Sequence, residues 1–116
     1  INGDTVNDLN DEYILIANGG NDDVNLEEWW INSEFITRGV FDYQIPDNFI
    51  LDTDDSVKIW TKSGTNNNSN LYMAKATPVW RNSGDCGYLR DNTDDHELVD
   101  RWCYGNLANR NLEPLP

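Results

Sequence analysis

The chain has 116 residues, and its 21 Asp and Glu side chains outnumber its 8 Lys and Arg side chains, which gives a formal net charge of −13. This length is typical of a single domain. The charge disfavours nucleic acid and anionic membrane surfaces as partners, because both repel an acidic chain. The longest uninterrupted apolar run is residues 13–17, far shorter than the roughly 20 residues that cross a bilayer. We therefore expect no membrane insertion.

Short apolar or alternating segments between turn signals predict β-strands along most of the chain. Residues 12–18 are apolar on both faces, which is typical of a central strand. In the next clear example, Val57 and Ile59 face one way and Lys58 and Trp60 face the other. Further strands are predicted at residues 26–32, 41–45, 49–51, 71–73, 78–80, 86–90 and 98–104. No segment keeps a helical period, so the pattern predicts an all-β sandwich of about eight or nine strands.

Polar segments flank or interrupt the predicted sandwich. Residues 1–8 are expected to form an N-terminal arm, residues 9–104 the domain, and residues 105–116 a C-terminal tail that lies flat or frays. Residues 63–70 form a polar loop without packing residues, which we expect to be the most mobile segment. This loop contains the glycosylation sequon Asn67-Asn68-Ser69, which we interpret as a chance match in an Asn-rich stretch.

The two cysteines, Cys86 and Cys103, lie on the two strands of the last predicted hairpin. Neither belongs to a Cys-x-x-Cys pair, so zinc and thioredoxin-type sites have little support. A hairpin centred between Asp94 and Asp95 places the two cysteines opposite each other, at a separation that a disulfide spans. The alternative is two buried free thiols in an intracellular protein. We favour the disulfide, which is typical of oxidising compartments.

The sequence offers little for catalysis. The single histidine, His96, lies in the acidic turn 94–97, and no nucleophile elbow such as G-x-S-x-G accompanies it. We interpret His96 as an exposed turn residue. Pairs of carboxylates arise by chance in so acidic a chain, so they do not indicate a glycosidase. We predict that the protein is not an enzyme and has no catalytic or cofactor-binding residues.

Two acidic loop tips, residues 52–55 and 91–95, hold the oxygen ligands that Ca²⁺ favours. Neither has the Gly and the distal Glu of an EF-hand loop. Asp at a loop tip also accepts hydrogen bonds from its own backbone, and we favour this turn chemistry over a calcium site. No metal ligands are therefore predicted, although calcium remains an alternative.

The chain contains 5 Trp residues, and their neighbours suggest different roles. Trp29 and Trp80 lie among apolar residues and are predicted to be in the core. Trp60 is out of phase with the apolar residues of its strand, which places it on an outer sheet face. Trp30 and Trp102 are left open between packing and ligand binding. An exposed Trp stacks on sugar rings or anchors a protein partner, but packing is the favoured interpretation for each.

The order of these motifs resembles the lamin tail domain family over about residues 9–104. The similar segments are residues 12–20 (EYILIANGG), 24–29 (VNLEEW), 43–46 (YQIP), 49–51 (FIL), 56–60 (SVKIW) and 78–85 (PVWRNSGD), with 89–91 and 98–100 in the closing hairpin. The first two resemble the family's Asn-x-Gly turn and its apolar-x-Leu-x-x-Trp strand. The segment 78–85 resembles the family's Trp-x-Asn-x-Gly-Asp block.

The resemblance implies an immunoglobulin-like β-sandwich without enzymatic residues, in which Trp29 and Trp80 are structural. The family occurs as the tails of nuclear lamins and in prokaryotic or fungal cell-surface and secreted proteins. The Asn- and Asp-rich turns and Gly84-Asp85 are closer to the second branch, and the predicted disulfide indicates an extracellular location. The acidity does not suit direct contact with chromatin.

We therefore expect a structural or protein-interaction module, extracellular or on the cell surface, that presents loops and sheet edges to a protein partner. An exposed edge strand can also accept a partner strand by β-augmentation. One alternative is a carbohydrate-binding or calcium-dependent adhesion module. Another is a nuclear lamina tail that binds nuclear-envelope proteins.

Overall fold

A computed structural model of the protein describes residues 12–34, 43–75, 79–81 and 83–113. These residues form nine β-strands and one 3₁₀ helix. The strands are β1 (Tyr13–Ala17), β2 (Val24–Asn25), β3 (Trp30–Ser33), β4 (Tyr43–Gln44), β5 (Ile50–Leu51), β6 (Ser56–Trp60), β7 (Asn70–Tyr72), β8 (Gly84–Arg90) and β9 (Leu98–Gly105), and the 3₁₀ helix is Ala108–Leu112. The architecture confirms the predicted all-β, immunoglobulin-like β-sandwich.

The first sheet has three strands in the order β1-β6-β7. β1 pairs antiparallel with β6, and β6 pairs parallel with β7. The alternation read from residues 57–60 holds, because Val57 and Ile59 are buried while Lys58 and Trp60 are half-buried on the opposite face. The same pleat directs Ile14 of β1 into the core, and it places the neighbouring residues of β1 on the outer face.

The second large sheet has the order β4-β3-β8-β9, and β2 and β5 form a separate two-stranded sheet. All the pairs in both sheets are antiparallel. The core between the sheets contains buried aliphatic residues and Trp80, which is only 2% exposed. Trp29 is half-buried and packs against this core. The predicted core position of Trp80 is confirmed, and Trp29 lies at the margin of the same cluster.

Two predicted strands differ from the structure. Residues 26–32 are not one strand, because the chain turns between β2 and β3: the Trp29 N–H donates to the Leu26 carbonyl at 3.0 Å, and Glu28 has φ +62°. The described residues of the predicted strand 78–80, Val79 and Trp80, are not in a strand either, because their N–H groups donate to the Glu12 carboxylate. Part of the predicted strand 41–45 and the predicted arm 1–8 lie outside the described residues.

The C-terminal segment lies flat on the second sheet as far as residue 113. Asn111, in the 3₁₀ helix, accepts a hydrogen bond from the Cys103 N–H at 2.8 Å and donates to the Cys103 carbonyl at 2.6 Å. Arg110 forms an ion pair with Glu34 of the second sheet's margin. The segment therefore covers part of the outer edge of β9, the edge strand of its sheet.

The polar loop 63–70 has internal order that the sequence did not suggest. The Asn67 side-chain oxygen accepts hydrogen bonds from the N–H groups of Ser69 and Asn70, both at 2.9 Å. Gly64 lies so close to the Tyr72 ring that a side chain at this position would collide with it. The expectation that the loop lacks packing residues was therefore wrong at Gly64, whereas its mobility stays a prediction.

Candidate binding surfaces

Cys86 and Cys103 are joined by a disulfide, as the hairpin register predicted. They are paired residues of β8 and β9, their Cα atoms are 4.0 Å apart, and both are buried. Because the N–H and C=O groups of Cys103 bond outward to Asn111, the pair occupies a non-hydrogen-bonded position of the ladder, where facing side chains are closest. The disulfide ties the two longest strands together.

The Gly84-Asp85 motif has a structural role in this protein. Asp85 is fully buried, and its Oδ1 atom accepts hydrogen bonds from the N–H groups of Glu34 at 3.0 Å and Cys86 at 2.8 Å. Its Oδ2 atom accepts from the N–H of Arg81 at 3.1 Å. The carboxylate thus joins the ends of β3 and β8 to the segment that carries Trp80.

His96 is half-buried, so its expected full exposure was wrong. Its ring lies edge-on to the ring of Trp30, with 5.9 Å between centroids and an interplanar angle of 71°. The backbone of the turn bends back at His96, where φ is +47°, and this brings the imidazole onto Trp30. The contact assigns both residues to packing at this end of the second sheet.

The acidic turn before His96 is built by Asp91. Its Oδ1 atom accepts hydrogen bonds from the Thr93 hydroxyl at 2.6 Å, the Thr93 N–H at 3.1 Å and the Glu97 N–H at 2.9 Å. This is the turn chemistry expected of Asp at a loop tip. Among the described residues, no group of three or more His, Cys, Asp and Glu residues is placed to hold a metal ion.

Replacing Thr93 by Val is expected to raise the pKa of Asp91. The Thr93 hydroxyl is the main cause that holds this pKa below the ordinary value of 3.8, with backbone hydrogen bonds adding to it. A lowered pKa in the folded state stabilises the protein above the pKa of the unfolded state, and this contribution is lost as the pH falls through the folded-state pKa. NMR titration of the Asp91 carboxyl in both proteins measures the change, and equal values would contradict the assignment.

The outer face of the first sheet carries a cluster of aromatic and lysine side chains, which we call the aromatic face. It consists of the rings of Tyr13, Trp60 and Tyr72, the lysines Lys58 and Lys62, and Asn70, which bonds to the Trp60 indole; all six are half-buried. In the sheet register Tyr13 faces Trp60, and Trp60 faces Tyr72, so the three rings form one row across the three strands. The predicted outer position of Trp60 is confirmed.

The rings of the aromatic face are close to one another and to both lysines. Ring centroids are 5.0 Å apart for Tyr13 and Trp60, and 6.5 Å apart for Trp60 and Tyr72, whose planes differ by only 13°. The Lys58 ammonium is 4.8 Å from the Tyr13 centroid, and that of Lys62 is 4.6 Å from the Trp60 centroid. These are cation–π distances, so the rings hold positive charge at the surface.

A second surface is an apolar groove between the edge of β1 and the edge of β9, which we call the edge groove. Its volume is about 490 Å³, and its lining includes core residues such as Leu26 and Leu89. Two apolar side chains on the β9 side of its lining are exposed, Val99 at 42% and Trp102 at 60%. Leu15 borders the groove from β1, but its side chain, 49% exposed, points to the outer face of the first sheet. The favoured interpretation of Trp102 as a packing residue is therefore wrong, because its side chain is exposed on this groove.

Within the part of the chain that the structure describes, the backbone of β1 is open on the side of the edge groove. The Thr61 N–H donates to the Glu12 carbonyl and the Asn18 N–H donates to the Asp55 carbonyl, which fixes the even-numbered residues of β1 as those bonded to β6. In an antiparallel ladder the alternate residues point their N–H and C=O groups the other way. Among the described residues, no strand pairs with that outer side of β1.

Sequence reasoning found Trp60 but missed its partners in the aromatic face. Lys58 was assigned to the outer side of its strand, which was a usable signal. For Tyr13 the sequence contained no signal. Residues 12–18 are apolar on both faces, so their pattern does not show which side chains point outward. Tyr72 joins the row through the parallel pairing of β6 with β7, which the local pattern does not contain.

The sequence model of the Lamin Tail Domain family matches residues 1–106. No curated protein matched the chain. Within the described residues, no helix has the length and hydrophobicity that crossing a membrane requires. The family match covers most of the sequence, and the sandwich fold agrees with it. The chain belongs to the lamin tail domain family, which indicates a non-catalytic, immunoglobulin-like protein-interaction module.

Proposed function

We propose that this protein is an extracellular or cell-surface interaction module that binds an extended strand of a protein partner in the edge groove. The observation that carries the proposal is the outer edge of β1, which pairs with no described strand and lies beside an apolar groove. Val99 and Trp102 expose large apolar surfaces there, and such surfaces mark interaction sites more often than isolated exposed residues do.

The backbone geometry favours a strand as the ligand. The N–H and C=O groups of Tyr13, Leu15 and Ala17 point outward, and an added strand would pair with them as in β-augmentation. Alternate side chains of that strand would then enter the groove, because successive side chains point to opposite faces. Partner strands with apolar residues at every second position therefore fit this site.

The opposite edge is less suited to the same role. Part of the outer edge of β9 is already bonded to Asn111 of the 3₁₀ helix, so an added strand cannot extend along it. The groove lining contains one acidic and one basic residue, Asp100 and Arg101, so it is the net charge of −13 on the whole chain that favours a partner strand with neutral or basic residues between its apolar ones. The proposed partner is thus an apolar-alternating, non-acidic strand that lies along β1.

The disulfide supports the proposed location, because buried cross-strand disulfides persist in oxidising compartments and are rare in the cytosol and nucleus. To test whether the disulfide is present in the native protein, free thiols are labelled in the protein isolated from its source, and the labels are then detected by mass spectrometry. Complete protection of Cys86 and Cys103 is expected. Labelling of both would contradict the extracellular assignment and favour the nuclear lamina alternative.

Replacing Leu15 by Pro is expected to weaken peptide binding about tenfold, because it removes one outward N–H donor from the edge of β1. The probe is a short peptide that alternates Val with Lys, and NMR titration gives its affinity and the amides it perturbs. Leu15→Ala is the matched control, since it shortens the same side chain and retains the donor. The amides of Ile14 and Ile16, which bond to β6, report whether the strand stays paired.

Two outcomes would contradict strand binding. One is a peptide affinity that is the same for the Leu15→Pro and Leu15→Ala variants. The other is a set of perturbed amides that leaves out Tyr13, Leu15 and Ala17. Binding is expected to be the same with EDTA present, because the proposed contacts are backbone hydrogen bonds and apolar packing.

A further inference from the structure

We propose that the aromatic face is a separate binding site for an acidic carbohydrate, an oligosaccharide whose sugar rings carry carboxylates. The site differs from the edge groove, because it lies on the outer face of the first sheet, whereas the groove lies between two sheet edges, although β1 contributes to both. Its ligand would contact aromatic rings and ammonium groups together.

The row of rings provides a stacking surface when the Lys58 and Lys62 ammonium groups, which lie over the Tyr13 and Trp60 rings, turn from the rings to the carboxylates of the ligand. Tyr13, Trp60 and Tyr72 follow one another across three adjacent strands, and Trp60 and Tyr72 are nearly parallel. The C–H face of a sugar ring packs on such aromatic surfaces, and a row of rings suits successive sugars of a chain. Because the rings are fixed to the strands of one sheet, little ordering entropy is lost when a ligand binds.

The central ring is held in place by the loop that follows β6. The Trp60 indole N–H donates to the Asn70 side-chain oxygen at 2.9 Å, and the Asn70 N–H in turn donates to the Asn67 side chain. Asn66 accepts a hydrogen bond from the Tyr72 N–H at 3.1 Å. The Asn-rich loop 63–70 therefore orients two of the three rings, which gives a function to a segment that the sequence marked only as polar.

The charge on this surface determines which sugar fits. The chain has three lysines, and two of them, Lys58 and Lys62, place their ammonium groups over the rings. The third, Lys75, bonds through its backbone N–H to the carbonyl of Thr61, next to Trp60. In a protein with a net charge of −13 this is a local concentration of positive charge, and it is complementary to carboxylates.

An acidic peptide fits the same surface less well. Backbone N–H and C=O groups lie in the plane of a sheet, so the face of the first sheet offers no donors or acceptors to a peptide backbone. A sugar does not depend on backbone hydrogen bonds of this kind, and its carboxylates pair directly with the ammonium groups. The long-range repulsion from the acidic chain is screened beyond about 8 Å at physiological salt, whereas a lysine–carboxylate contact is shorter.

The probe for this proposal is a galacturonic acid oligomer, titrated by NMR in EDTA. The fully methyl-esterified oligomer is the neutral control, and a glutamate oligomer of similar length is the peptide control. We expect the acidic oligosaccharide to perturb the Trp60 indole N–H and to bind about tenfold more tightly than its methyl ester. No binding of the acidic oligosaccharide, or equal binding of the glutamate oligomer, would overturn the proposal.

The double variant Lys58→Gln with Lys62→Gln is expected to weaken binding of the acidic oligomer about tenfold. It keeps much of both side chains and changes no buried polar group, so it tests charge without altering the fold. Trp60→Ala tests stacking and is expected to abolish binding, with thermal unfolding as its check. Trp102→Ala is the control, since it removes an exposed Trp from the edge groove only. Oligomer affinity that survives the lysine changes, or that falls equally in Trp102→Ala, would contradict the site.

Discussion

Replacing Glu12 by Ala is expected to lower the free energy of unfolding by about 4 kcal/mol, a large part of the stability of a domain this size. Glu12 is fully buried, and its Oε1 atom accepts three hydrogen bonds: from the Thr61 hydroxyl at 2.6 Å, the Val79 N–H at 2.6 Å and the Trp80 N–H at 3.1 Å. The Ala variant leaves all three donors without this acceptor. Urea unfolding followed by tryptophan fluorescence measures the loss.

Glu12→Gln is the matched control for this prediction. It retains the Oε1 acceptor, and it changes the Oε2 atom, which has no hydrogen-bond partner among the described residues. It also places an amide N–H₂ group at this buried position without an acceptor, so we expect a cost of about 2 kcal/mol, still below the loss in the Ala variant. Equal losses in the two variants would contradict a stabilising role for the Oε1 acceptor atom.

Removing the disulfide is expected to destabilise the protein by about 3 kcal/mol. Cys86 and Cys103 are separated by 17 positions, and a cross-link that closes a loop of this length restricts the unfolded chain by about that free energy. The double variant Cys86→Ala with Cys103→Ala removes the cross-link, and urea unfolding again measures the effect. Some further loss is expected because both positions are buried in the hairpin.

Chemical reduction separates these two contributions. Reductant is expected to lower the stability of the wild-type protein toward that of the double variant, and to leave the double variant unchanged. An unchanged wild type under conditions that reduce the bond fully would contradict the prediction. Because β9 forms one side of the edge groove, we expect reduction to weaken peptide binding there before it affects the aromatic face.

Glu12 and the disulfide stabilise two different strands, β1 and β9, whose edges border the edge groove. Glu12 precedes the first residue of β1, so the strand that supplies Tyr13 to the aromatic face and its outer edge to the groove begins at this buried network. The disulfide fixes β9 against β8 on the other side. The two largest predicted stability effects therefore concern β1 and β9, the strands whose edges border the edge groove.

The sequence motifs predicted the lamin tail domain family, and the family match over residues 1–106 confirmed it. Whether the protein belongs to the secreted or to the nuclear branch of the family depends on its location, and the secreted branch remains part of the proposed function. The edge groove, by contrast, could not be predicted from the sequence. It arises because the edges of β1 and β9 lie side by side, and these strands are more than eighty residues apart in the chain.

The sequence by itself determined the features that depend on local patterns. Alternating residues specify strands and their inward faces, so the all-β class, the phase of β6 and the outer position of Trp60 followed directly. The disulfide followed as well, because the register of a hairpin is set by the position of its turn. Each of these properties is fixed by residues that are close in the chain or that pair across one turn.

Only the tertiary structure decided the rest, because it depends on contacts between distant segments. A glutamate at the start of a strand is normally solvated, and Glu12 is buried because Val79, Trp80 and Thr61 surround it with donors. The tail lies flat as far as residue 113 because Asn111 bonds to the outer edge of β9. The aromatic face exists because three strands align Tyr13, Trp60 and Tyr72, and that alignment is set by long-range pairing rather than by any local pattern.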